Sequence, residues 1–112
     1  MSREYQHRLR DIHSNCQFIL KFTTGLTKDA LFQDDKTYYA VMYCLQTIGE
    51  AARQVPSEVR EKYPQIEWRQ IIDARNLIVH EYFGLDEDAI WSIITEEVPE
   101  LLQQITQILD KD

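Results

Sequence analysis

An all-α fold, an antiparallel bundle of four helices with room for a fifth, is predicted by three features of the sequence. Apolar residues recur at steps of three and four along four separate stretches. The alternation of apolar and polar residues that marks strands is hard to find. Glycine and proline, three of each, mostly fall between those stretches rather than inside them. At 112 residues the chain suits a single domain, 1–112, with one core, and no repeat, low-complexity stretch or linker divides it.

The elements follow in order. Residues 3–24 read as a helix on the stripe Tyr5, Leu9, Ile12, Cys16 and Ile19, ended by Gly25. Thr27 to Phe32 has room for a short helical turn. Asp34 or Asp35 can cap a second long helix over about 35–55, with Val41, Leu45, Ile48, Ala52 and Val55 as its main stripe. Tyr38, Tyr39, Met42 and Cys44 widen its apolar surface beyond one stripe, as expected of a helix that packs against the core and against a second copy of the chain. Gly49 inside it costs about 1 kcal/mol relative to alanine, a cost that a closely approaching helix would explain. Pro56 and Pro64 bracket a short segment, and a third helix runs from about 66 to 83, stopped by Gly84. Asp86, Glu87 and Asp88 suit the start of a fourth, which carries Ile90, Ile94, Leu101, Ile105 and Ile108. Pro99 is expected to kink or break it.

The composition, 44% hydrophobic and 28% charged, is that of a folded globular chain. No apolar run is long enough for a membrane helix, and the N-terminus lacks the apolar core of a signal peptide. Cys16 and Cys44 are the only cysteines, without a CxxC, so neither a disulfide framework nor a zinc site is indicated and a reduced, cytoplasmic protein is expected. The net charge of −7 is uneven. Residues 86–112 carry eight acids against Lys111, whereas residues 1–85 hold eleven charges of each sign. The acidity belongs to the last helix, so the charge excludes a broad basic groove for nucleic acid but not a small site built on a few arginines.

The third helix holds the anomaly. At 100° per residue, Trp68, Ile71, Ile72, Ala74, Ile78, Val79, Tyr82 and Phe83 share one arc about 180° wide, and Arg75 falls near its middle. A guanidinium there is costly unless it is paired or binds a ligand. Two readings are open: a structural arginine, for which Glu50 is a candidate partner, or an arginine that reaches a phosphate. On the opposite face Arg69, Asp73, Asn76 and His80 form a polar stripe at steps of four, three and four. His7 and His13 have no such company and read as ordinary surface histidines.

The segment Arg75-Asn76-Leu77-Ile78-Val79-His80-Glu81-Tyr82-Phe83-Gly84 resembles the signature of the HEPN superfamily of ribonucleases. Its spacing, Arg-x4-His-x-Tyr, resembles more narrowly the HepT group, toxins paired with a minimal nucleotidyltransferase antitoxin. Ile48-Gly49-Glu50-Ala51-Ala52 and Ile66-Glu67-Trp68-Arg69 extend the likeness over most of residues 35–85. Many relatives place a proline directly before the tryptophan, where this chain has Glu67.

The resemblance implies a HEPN-like homodimer with both motifs at the shared interface, and an RNA substrate. Arg75 and His80 would be catalytic, supported by the polar neighbours Asn76 and Asp73. Tyr82 would receive adenylate from the cognate nucleotidyltransferase antitoxin of a type VII-like toxin–antitoxin pair. Metal-independent cleavage needs a base for the 2′-hydroxyl, an acid for the leaving 5′-oxygen and a cation for the phosphorane. Histidine suits the proton transfers and arginine the charge. One chain has one motif histidine, so a dimer would supply both acid and base. No metal and no cofactor are predicted, since no constellation of ligand residues stands at metal-binding spacing. The competing readings are a non-catalytic HEPN module that docks a nucleotidyltransferase or a nucleotide, and a plain helical dimerisation domain.

Overall fold

The computed structural model describes residues 4–80 and 86–111; for residues 4 and 77–80 only the backbone is described. All regular structure among them is helical: α1 (Glu4–Thr23), α2 (Lys28–Gln33), α3 (Asp35–Gln54), α4 (Ser57–Lys62), α5 (Trp68–His80), α6 (Glu87–Ser92), a π-helical turn (Ile93–Glu97) and α7 (Val98–Lys111). The all-α bundle expected from periodicity is the one observed. None of the described helices is long and apolar enough to cross a membrane.

The starts and stops are chemical. Gly25, at φ 77°, takes the left-handed conformation that ends α1 without a Cβ clash. Thr27 Oγ1 accepts from the Ala30 amide to cap α2, Asp34 accepts from Thr37 to cap α3, and Asp86 accepts from the amides of Asp88 and Ala89 to open α6. The Trp68 indole donates to the Tyr63 carbonyl at 3.0 Å, which anchors the first turn of α5 on the chain that leads into it. That helix therefore begins at Trp68, two residues later than the spacing suggests.

α1 is the hub. It packs on α3 and on α7, and α3 packs in turn on α5. Leu9, Ile12, Cys16 and Ile19 of α1 are fully buried against Val41, Leu45, Ile48, Ala52 and Val55 and against Ile105 and Ile108 of α7. Each of these lies on a stripe already visible in the sequence. Burying one such aliphatic side chain contributes about 1.5–3 kcal/mol, so the α1–α3–α7 contacts carry most of the cohesion.

Two expectations need correction. Pro99 does not break the helical run, which continues through it to Lys111. It lacks the amide that would bond back along an α-helix, and the chain widens into a π turn just ahead of it, with the Val98 amide bonded to the Ile93 carbonyl. The wider turn keeps Ile90, Ile94 and Val98, four residues apart, on one buried side. The surplus apolar surface also lies elsewhere than expected. Met42 and Cys44 are core residues, and Tyr38 is half-buried against Phe32. Of that group only Tyr39 is exposed; among the described residues the other large apolar side chains left in solvent are Phe18 and Phe22 of α1 and Tyr43 of α3.

Candidate active site

Arg75 owes its position to Gly49. A Cβ at residue 49 would overlap the Cβ of Arg75 and stand 3.3 Å from its Cα, so only glycine lets α3 and α5 touch at this point. This is the close approach that the interior glycine implied. It brings the Arg75 side chain over the last turns of α3, where it remains 26% exposed and so within reach of a ligand.

Glu50 is its partner, as the sequence suggested. The carboxylate divides its oxygens: Oε1 accepts from Arg53 at 2.7 Å and from Gln54 at 3.0 Å, while Oε2 faces Arg75 Nη2 at 3.2 Å. The contact to Arg75 is ionic without hydrogen-bond alignment, so Glu50 holds Arg53 more tightly than Arg75. The Arg53 and Gln54 hydrogen bonds, and then the charges of Arg53 and Arg75, hold the Glu50 carboxyl below the usual glutamate range. On its other side Arg75 Nη1 donates to Asn76 Oδ1 at 3.0 Å. A guanidinium has five N–H donors, so these two contacts leave donors for a phosphate.

The helical wheel set Asn76 on the face opposite Arg75. The long arginine side chain curls back to its neighbour, and the two form one polar unit. Asp73 is exposed and makes no ion pair or hydrogen bond with either residue. His80 lies on α5, one turn beyond Asn76, and its side chain lies outside the described residues. Tyr82 falls outside the described residues. His13 is half-buried and His7 exposed on α1.

Beside Arg75 opens a polar cleft of about 310 Å³ between α1, α3 and α5. Glu50, Thr47, Gln46 and Gln54 form its α3 wall, and Arg8 and Asp11 form its α1 wall. Sequence reasoning missed the α1 contribution. Arg8, Asp11, Asn15, Phe18 and Phe22 recur at steps of three and four, but nothing in one sequence separates such a stripe from an ordinary solvated face. The same face carries the exposed aromatics. Phe18 and Phe22 lie stacked, with ring centroids 5.9 Å apart, and Tyr39 and Tyr43 continue the α3 wall away from the cleft.

A second cavity, about 200 Å³, lies between α5 and α7. Leu45, Ile48, Ile71 and Leu101 floor it and Glu67, Glu97 and Glu100 rim it. Burial, with Glu96 and Glu100 adding to it, pushes the Glu97 carboxyl up. An apolar, acid-rimmed groove repels a polyphosphate strand, so the Arg75 cleft is the better place for nucleic-acid chemistry.

In this helical bundle an arginine is held by a glutamate of the neighbouring helix, beside a polar cleft and five residues before a histidine on the same helix. Residues 12–108 match the family described as "Ribonuclease HepT-like". A "Putative RNase" of Methanocaldococcus jannaschii is 37% identical over 101 residues, covering 90% of this chain and 84% of that protein. A "Putative RNase" of Caldanaerobacter subterraneus subsp. tengcongensis is 35% identical, covering 93% of each. A "Probable ribonuclease HepT" of Thermococcus cleftensis is 33% identical, covering 90% of this chain and 92% of that protein. No solved structure gives a significant match. The chain belongs to the HepT-like ribonuclease family of the HEPN superfamily.

Proposed function

We propose that this chain is a metal-independent endoribonuclease that acts as a homodimer through Arg75 and His80. The observation that carries the reading is the placement of Arg75: seated on Gly49, steadied by Glu50 and Asn76, and open to a polar cleft. The 2′-hydroxyl attacks the adjacent phosphorus and gives its proton to one imidazole. A second imidazole protonates the departing 5′-oxygen, and Arg75 carries the charge that builds on the phosphorane. Two copies of His80 in one cleft supply base and acid together. Asn76 orients the Arg75 fork, and Asp73 contributes to the polarity around it.

Control follows the same geometry. Tyr82 follows Arg75 by seven residues in the sequence, the spacing of about two helical turns. Its hydroxyl would attack the α-phosphorus of ATP bound to a cognate nucleotidyltransferase, releasing pyrophosphate and leaving a tyrosyl–AMP phosphodiester. That anion would repel RNA and occupy Arg75. The chain is then the toxin of a type VII-like toxin–antitoxin pair, and the nucleotidyltransferase its antitoxin. The experiment is RNA cleavage in EDTA by wild type, Arg75→Ala and His80→Ala. Wild type should cut and leave 2′,3′-cyclic phosphate ends while both variants are silent; 5′-phosphate products, or loss of cutting in EDTA, would overturn the mechanism.

One observation favours a second reading. The ion pair with Glu50 is what a structural arginine would make, and it suits a non-catalytic module that binds a nucleotide or a nucleotidyltransferase. A wild-type protein that binds RNA or nucleotide and never cuts would establish it.

A further inference from the structure

We infer that Arg8 is a second phosphate-binding arginine, holding the phosphate next to the one that Arg75 engages, so that the RNA strand lies across α1 as well as α5. The assignment rests on the ribonuclease reading of the cleft and extends it to a helix outside the Arg-x4-His motif. Arg8 and Arg75 line the same cleft from different helices. Arg75 and Arg53 are both engaged by Glu50, whereas Arg8, among the described residues, has no ion pair and no hydrogen bond. It does no structural work that would explain its place: it is exposed and packs in no core. An uncommitted guanidinium facing a polar cleft is suited to grip phosphate oxygens in a bidentate way.

Asp11 shares this wall one helical turn away, and its carboxylate has no ion pair among the described residues. It offsets the charge of Arg8 and opposes an incoming phosphate. The two residues therefore act on the strand with opposite sign. A purely structural account of the α1 wall does not produce that signature.

The test is binding of a single-stranded 2′-O-methyl RNA oligonucleotide, which has no attacking hydroxyl, over a series of salt concentrations. Arg8→Gln should weaken binding roughly tenfold, the size of one charged contact. It should also lower the slope of log K against log salt by about 0.7, the value for one phosphate of a single strand. Arg8→Lys should restore the slope, and Asp11→Asn should tighten binding. Circular dichroism of each variant should match wild type, since neither side chain supports the fold. An unchanged slope in Arg8→Gln, or weaker binding in Asp11→Asn, overturns the assignment. A wild type that binds and shows these shifts but never cuts RNA overturns the nuclease reading and leaves Arg8 in place; a wild type that cuts while the slope stays fixed does the reverse.

Discussion

Glu50 touches three side chains at once, and its titration reports first on Arg53 and Gln54 and least on Arg75. Its carboxyl is held below the usual range in the folded protein, so the stability it contributes is present above the ordinary glutamate pKa and is lost as pH falls through the lower, folded value. Acid melts of wild type and Glu50→Gln should diverge only at neutral and mildly acidic pH, where the variant lacks this contribution, and converge below it. Parallel curves at every pH would show that Glu50 does not hold the arginines. Cys16 presents the opposite case. Burial, with Cys44 nearby, pushes its thiol up to about 12, leaving almost no thiolate to react. Ellman's reagent at pH 8 should label neither cysteine in the native protein and both in denaturant. The Arg75–Glu50 pair was legible in the sequence because a charge in the middle of an apolar arc demands a partner. Arg8 was not, because a charge on a polar face demands nothing.

Helix ends and stripes were the most legible elements. Asp86 precedes an apolar-periodic run and accepts two amides of the first turn of α6. Asp86→Ala should cost about 1 kcal/mol, seen as a drop in Tm of roughly 5 °C. An unchanged Tm would mean that α6 needs no cap. The ion pair between Lys28 and Asp88, which ties α2 to α6, was out of reach: both are exposed and sixty residues apart. Pro99 was recognised as a disturbance, but the helix does not break at it. A proline removes one donor, and a chain held on both sides by buried Ile94 and Leu101 accommodates the loss with one widened turn.

For the whole molecule, the homodimer we propose would seat its second protomer on the aromatic end of the α1–α3 face. Phe18, Phe22, Tyr39 and Tyr43 are exposed there, on the same face as the cleft that would need a second histidine. Tyr43, 70% exposed, can be changed without touching the core. Tyr43→Glu should give a monomer by light scattering at tens of micromolar and lose RNA cleavage together with dimerisation. A monomeric variant that still cuts would separate the chemistry from the assembly. The sequence did place surplus apolar surface on this helix and included Tyr39, but it counted Met42 and Cys44, which lie in the core, and missed Tyr43. Whether Met42 or Tyr43 faces out depends on where α1 crosses α3, and periodicity on a single helix cannot fix that.

The seating of Arg75 on Gly49 bears on how active relatives are told from silent ones. A methyl group at residue 49 would add about 1 kcal/mol of helix propensity but collide with the arginine backbone. The overpacking should cost about 1–3 kcal/mol and push α5 away from α3, taking Arg75 off Glu50. Gly49→Ala should therefore fold, melt at or below the wild-type temperature and cut poorly, with every residue of the Arg-x4-His motif intact. A family member with any larger residue at that position could carry a perfect signature and no activity. Sorting such proteins by the signature alone would count it among the nucleases, and the residue that gives it away lies on a different helix, more than twenty positions upstream.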